Sequence, residues 1–380
     1  SLDTGMIIGG GYLYIDSEKG SYAGALQLSI NNFLSLTAIG LIETKMPDGS
    51  DGFSLLIIVT AEFSPAFQLG YGFTLNGVGG LMGLNREVLL DPLRDGVRTG
   101  AVNGIMFPTD VIANAPAIIS DMQAIFPVKE GYFLVGPMAK IGWGTPTLIS
   151  LSLGVIIQIP DPKIAILGVL KIVLPTEEAA VIKLQVNFLG TIDTSNQLIT
   201  FDASLFDSNI LKTLTLTGDM AVRLRWGDKP DFILSAGGFH PEYEPTMSMP
   251  KLQRIGIKIL DLENAKVQVM TYFALTSNTV QFGARADCYF GLDGFCVYGY
   301  AGFDAMMQFS PFCFDALAYS GFTLDTALGD ASIRIKARLK GPTPWYVKAI
   351  GSIEVFGFEF EAEFEKEWGK SQKEELPEIA

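Results

Sequence analysis

Histidine, cysteine and clustered positive charge are what this chain has least of. Its 380 residues contain one histidine, His240, and three cysteines. Catalytic triads and most catalytic zinc sites need histidine, often several, so both chemistries are disfavoured from the outset. Three cysteines cannot make a fully paired disulfide framework, and reduced thiols fit synthesis in the cytoplasm. Lys and Arg number 27 against 41 Asp and Glu, for a net charge of −14, and no basic patch or stripe offers itself to nucleic acid. No apolar run is long enough for a spanning helix: the longest, residues 148–159 and 164–174, are short and are parted by Pro160-Asp161-Pro162-Lys163. The opening "SLDTGMIIGGG" lacks the basic region and cleavage pattern of a signal peptide and reads as a boundary inside a longer chain.

What is abundant is apolar. Hydrophobic residues make up 48% of the chain and charged residues 18%, below the usual quarter. Such a chain either buries a large core or lines an apolar cavity, and disorder is excluded for nearly all of it. The expectation is a soluble β-rich domain over residues 1–370, followed by a polar tail at 371–380.

The order of elements is strand, turn, strand. Runs such as "LSLTAIGLIE" and "FSLLIIVTAEF" are separated by "TKMPDGSDG", and turns rich in Asp, Gly, Ser and Pro between β-branched runs mark hairpins. Residues 84–126 differ. "PTDVIANAPAIISDMQAIFP" places Ile112, Ala115, Ile119, Met122 and Ile125 or Phe126 on one helical stripe, with Thr109 or Asp110 as N-cap. The predicted fold is therefore mainly β: a large, curved or partly closed antiparallel sheet of long hairpins, with two short helices packed against it.

Strand faces can be read from parity. Residues 148–159 and 164–174 are apolar on both sides and read as fully buried sheet. In "VIKLQVNFLGTID", Ile182, Leu184, Val186, Phe188 and Ile192 face one way, while Lys183, Gln185, Asn187, Thr191 and Asp193 face the other. "SIRIKARLKG" places Ile333, Ile335, Ala337 and Leu339 inward and a basic ladder outward. "FEFEAEFEKEWG" places Phe358, Phe360 and Phe364 inward, with Glu359, Glu361, Glu363 and Glu365 outward. The two ladders either pair opposite charges as neighbours or stand as separately solvated faces. Cys288 and Cys296 flank a turn at Asp293-Gly294. A two-residue loop puts them on opposite faces, so buried free thiols are expected.

Few residues suggest chemistry. The glycine-rich "NGVGGLMGLNRE" has Met82 where a dinucleotide fingerprint needs glycine, and its glycines are read as turning a strand tightly into a helix. His240, in "GGFHPEYEP", is either a general base beside Glu242 or Glu244 or a turn histidine bonded to the backbone. Asp304 and Asp315, within the apolar "GFDAMMQFSPFCFDA", are either a glycosidase-like carboxylate pair or β-bulge or turn carboxylates accepting backbone hydrogen bonds. No cofactor or metal is expected. A membrane barrel needs strict apolar-out, polar-in alternation, and the doubly apolar strands, the helices and the mixed-charge ladders argue against it.

The stretches "GFTLNGVGGLMGLNRE" (72–87), "SAGGFHPEYEP" (235–245), "FDAMMQFSPFCFDA" (303–316) and "KGPTPWYVKAIGSIEVFGF" (340–358) resemble a bacterial domain-of-unknown-function family. Its members are often segments of long proteins encoded beside extracellular contractile injection systems. The resemblance implies a cargo or effector made in the cytoplasm and exported, with the rest of a longer chain or injection-system components as partners. It brings no catalytic residues. The expected function is a non-enzymatic binding or structural module holding an apolar, lipid-like ligand. The alternatives are a carboxylate-based hydrolase and a membrane-active toxin.

Overall fold

The computed structural model describes residues 2–3, 7–31, 33–176, 179–342 and 344–369. Its strands are β1 (Leu2–Asp3), β2 (Ile7–Asp16), β3 (Ser21–Ile30), β4 (Leu34–Lys45), β5 (Asp51–Gly70) and β6 (Phe73–Arg86). Helices α1 (Leu90–Thr99), α2 (Ala101–Met106) and α3 (Val111–Ile125) follow. After them come β7 (Val128–Trp143), β8 (Ile149–Ile159), β9 (Lys163–Leu174), β10 (Ile182–Asp193), β11 (Leu198–Leu205), β12 (Ser208–Ile210), β13 (Leu214–Thr217) and β14 (Asp219–Arg225). The chain ends in β15 (Asp231–Ala236), β16 (Ile255–Asp261), β17 (Ala265–Thr276), β18 (Thr279–Leu292), β19 (Phe295–Gln308), β20 (Cys313–Thr326), β21 (Gly329–Gly341), β22 (Trp345–Val355) and β23 (Phe358–Trp368). The chain forms two compact units: Ser1–Lys212 with Val222–Pro230, and Thr213–Ala221 with Asp231–Ala380.

In the first unit β2 to β11 pair antiparallel in chain order, as a run of hairpins predicts. The helical segment holds three helices rather than two. It starts at Leu90, because Leu84–Arg86 finishes β6. Asp110 stands at the α3 N-cap in a left-handed conformation with no side-chain cap bond. The expected stripe on α3 is buried apart from Ile112, which is half-buried. The glycine-rich segment is strand, not a turn into a helix. A Cβ on Gly79 would lie 2.9 Å from the Val59 carbonyl and 2.8 Å from Thr60, so glycine here admits close approach of β5.

The helices cover one face of this sheet: α3 lies on β2 and β3, α2 on β8 and β9, and α1 on β10 and β11. Ile39, Ile58, Leu81, Leu134 and Ile156 are buried beneath them in one core. On β10 the buried face is the polar one. Asn187 donates to the Val97 carbonyl of α1 (3.1 Å) and accepts from Gln185 (2.9 Å), and Asp202 on β11 takes Arg94 and Arg223 at 2.8 Å each. Buried polar groups are tolerable where each finds a partner. Among the described residues of this unit no element covers the opposite face. Across ten strands it runs Leu13, Gly24, Gly40, Ile57, Met82, Val135, Ile157, Ile164, Ile192, Ile199 in register. Every residue of this row is apolar or glycine. The strands apolar on both sides are therefore not fully buried, because helices cover one side only and residues such as Ile159 and Ile166 face out.

In the second unit β16 to β23 again pair in chain order, with β13 beside β16 and β15 beside β17. The Asp293-Gly294 turn has two residues: Leu292 opposes Phe295, Cys288 opposes Gly299 and Cys296 opposes Gly291. All three thiols are free, yet none is buried: Cys288 and Cys296 are half-buried and Cys313 is exposed. The basic and acidic ladders are not neighbours. β22 lies between them, and its Lys348 reaches Glu363 and Glu365 on β23 (3.6 Å to Glu365). Trp143, Trp226 and Trp368 each precede a glycine, and all three glycines have φ between 92 and 98°, a left-handed turn that glycine alone adopts freely.

Parity gives the strands of this unit two unlike faces. One row passes through Gly299, Phe322, Ile333, Ile353 and Phe360, and a parallel row through Phe303, Ala318, Ala337, Ala349 and Phe364. Among the described residues from β17 to β23 this face carries one charged side chain, Lys366. The face is open: Phe322, Ile333 and Ile353 are each 48% exposed and Phe360 70%. The expected burial of Phe358, Phe360 and Phe364 is thus overturned. The parity was right, but among the described residues no element of the unit packs over these rings, and β23 pairs with β22 alone.

Candidate binding cleft on the polar face of the second unit

The other face of the same sheet gathers tyrosine, arginine and aspartate. Positions two apart on a strand share a face, so Arg285, Asp287 and Tyr289 of β18 stand beside Tyr298, Tyr300 and Asp304 of β19 and Tyr319 of β20. Above them, residues 237–254 leave β15 through Gly237 and Gly238, both at positive φ, and cross the sheet. This segment is fastened at several points. Arg254 donates to the carbonyls of Gly237 (3.2 Å) and Phe239 (3.1 Å), and its guanidinium stacks 3.8 Å above the Tyr272 ring. The His240 amide donates to Gln281 (2.9 Å), and Gln253 donates to Asp219 (2.8 Å).

Between segment and sheet lies a cavity of about 740 Å³, lined by Arg254, Tyr272, Arg285, Asp287, Asp304 and Tyr319 among others. Arg285 donates to Asp287 (2.9 Å) and to the Tyr298 hydroxyl (2.8 Å), which itself donates to Asp287 (2.9 Å). Tyr272 is 3% exposed, and its hydroxyl has no well-formed hydrogen bond. Burial, then the neighbouring Asp304 carboxylate, push its pKa up, so the hydroxyl stays neutral. The ring can lie there because position 283 is glycine. A Cβ would come within 2.4 Å of Tyr272 and 2.9 Å of the Asp304 carboxylate.

The residues singled out in the sequence converge beside this cavity, and the structure gives them unequal surroundings. His240 is 2% exposed; its Nδ1 accepts from the Glu242 amide (3.3 Å) and its Nε2 has no partner. Burial lowers its pKa, opposed by the charges of Asp315, Asp304 and Glu242. Asp315 accepts from Arg338 (2.9 Å) and pairs with Lys340 (3.3 Å). Glu242 pairs with the same Arg338 and lies 3.5 Å from Lys340, and the Arg338 hydrogen bond holds its pKa down to about 2. Glu244 has no hydrogen bond or ion pair to these residues and does not line the cavity. Of these five residues only Asp304 lines the cavity. Asp315 and Glu242 are occupied by cations, whereas glycoside hydrolysis needs two carboxylates facing one substrate bond. Among the described residues no group of three His, Cys, Asp or Glu is placed to hold a metal ion.

Residue reading missed Arg254, Tyr272, Arg285, Asp287, Tyr298 and Tyr319. Parity in "FGARADCYFGLDGFCVYGYAGFD" does place Arg285, Asp287 and Tyr289 on one face and Tyr298 and Tyr300 on another. The two-residue turn at Asp293-Gly294, which sets Tyr289 opposite Tyr298, makes those two faces one.

Residues 1–380 match the model of a family of unknown function, DUF6603, and the chain belongs to that family. No curated protein and no solved structure matches it.

Proposed function

We propose that this member of a family without an assigned activity is a non-enzymatic lipid-binding module whose outward sheet faces contact acyl chains. One observation carries the reading: the apolar face of β17 to β23 holds a single charged residue, Lys366, while Arg285, Asp287, Asp304, Asp315 and Arg338 all stand on the opposite face. Seven strands at about 4.8 Å spacing, and the nine residues from Phe282 to Phe290 at about 3.4 Å each, outline roughly 29 by 27 Å. Such an area exceeds the few hundred Å² of contiguous apolar surface that monomers usually show. Its height approaches that of a hydrocarbon layer, about 25–30 Å. A protein partner would bring hydrogen bonds and a charged rim, for which this face has no counterpart. The matching outward row of the first unit supports the same reading, and it removes the doubly apolar strands as an objection to lipid contact.

The setting belongs to the same proposal. The resemblance to proteins encoded beside contractile injection systems fits a cargo or effector made in the cytoplasm and exported, partnered by its longer chain or by injection components. The described residues include no helix long and apolar enough to cross a membrane, so lipid contact falls to the strands. Flotation with uncharged phosphatidylcholine vesicles tests the reading. The protein should float with the vesicles, and equally well at low and high salt, because the contact is apolar and the chain carries −14. Protein that stays in the dense fraction, or that floats only at low salt, overturns it.

A further inference from the structure

We propose that the polar cleft of the second unit is a saccharide-binding site. This inference is independent of the lipid reading, since it concerns the opposite face of the sheet. Three observations lead to it.

The first is charge balance. Arg285 is taken up by Asp287 and Tyr298, Lys258 by Asp261 at 2.8 Å, and Arg254 by two backbone carbonyls and the Tyr272 ring. A phosphate or polyanion site would present unopposed cations or a forked arginine free to bind it. Here three of the four lining cations are taken up, Lys266 being the exception, so a strongly charged ligand gains little.

The second is the kind of polar group left over. Tyr272, Tyr289, Tyr319, Asp304, Gln268 and Lys266 line one cavity. Hydroxyls donate and accept, carboxylate accepts, ammonium donates. A ligand matching that mixture carries many hydroxyls of its own, and the flat tyrosine rings suit the apolar faces of a pyranose.

The third is the buried Tyr272 hydroxyl. The hydroxyl has no partner and is itself shut off from solvent, so a ligand hydroxyl reaches it where the side chains lining the cavity move aside. The volume, about 740 Å³, lies in the range of small-molecule sites and admits one to a few sugar rings.

Titration calorimetry and saturation-transfer NMR on the full chain, with maltotriose, cellotriose and tri-N-acetylchitotriose as probes, test the assignment. At least one should bind, and Asp304→Asn should weaken it about tenfold, as expected for one charge-assisted hydrogen bond. Tyr319→Phe should weaken it severalfold. Lys266→Ala, at an exposed position that leaves the fold intact, should weaken it without changing the circular dichroism, which guards against a folding defect in the other two. The proposal fails if none of the three saccharides binds. It fails equally if binding ignores all three substitutions, or if inorganic phosphate binds in their place with the same dependence on them.

Discussion

Phe360 separates a core from a docking face in one substitution. Its ring lies 70% exposed in a row that includes Phe322, Ile333 and Ile353. A phenylalanine can bury about 200 Å², so roughly 140 Å² remains open here. At about 25 cal/mol per Å², moving that area into hydrocarbon is worth about 3.5 kcal/mol. Alanine keeps a minor share of it, so Phe360→Ala should lose about 2–3 kcal/mol of lipid transfer, a drop of about 30- to 150-fold in vesicle partitioning. Without lipid the same substitution should change unfolding free energy by no more than about 1 kcal/mol, because the ring leaves no cavity. A buried phenylalanine would cost about 3–5 kcal/mol. Ile58→Ala is the internal standard: at 1% exposure beneath the helices it should cost about 2–5 kcal/mol. Urea unfolding followed by circular dichroism, together with vesicle sedimentation, gives both numbers. A lipid-free loss near that of Ile58→Ala, or unchanged partitioning, would refute the reasoning.

Acid should loosen the segment over the cleft. The folded pKa of Glu242, about 2, lies below its ordinary 4.5, so its contribution is complete above pH 4.5 and is lost as pH falls towards 2. The pair is half-exposed, so the effect is small and salt should shrink it; Glu242→Gln should remove that part of the acid dependence in amide exchange of residues 237–254. Asn187→Ala strips the buried α1 carbonyl of its donor and should cost about 1–3 kcal/mol in urea unfolding, against near neutrality for Lys183→Ala on the same strand. Alkylation of denatured protein without reductant should label all three cysteines, and in the native protein Cys313 should react first. A bridge between Cys288 and Cys296 would mean that the Asp293-Gly294 turn is not the two-residue loop described.

The elements were legible because each rests on local chemistry. Hairpins followed from β-branched runs broken by Asp, Gly and Pro, the helical segment from its 3.6-residue spacing, and the Cys288–Cys296 geometry from a two-residue turn that reverses parity. Alternation also sorted side chains onto the correct faces, as in "FEFEAEFEKEW" and "KLQVNFLGTID". What alternation cannot say is which face is covered. Phe360 and Asn187 show the two outcomes: the phenylalanine faces out because no described residue packs over β23, and the asparagine is buried because α1 lies on β10 and needs its amide. The cleft was hidden for a related reason. Its residues come from separate strands and a crossing segment, and Arg254, Tyr272 and Asp304 are as much as 50 positions apart in the chain. Each looks ordinary on its own strand. Sequence alone determined most of the strands, their hairpin turns and, where residues alternate, the two unlike sides of a strand. Tertiary structure decided which side is covered and which residues meet, because burial and convergence depend on what packs against a strand, and its own residues do not encode that.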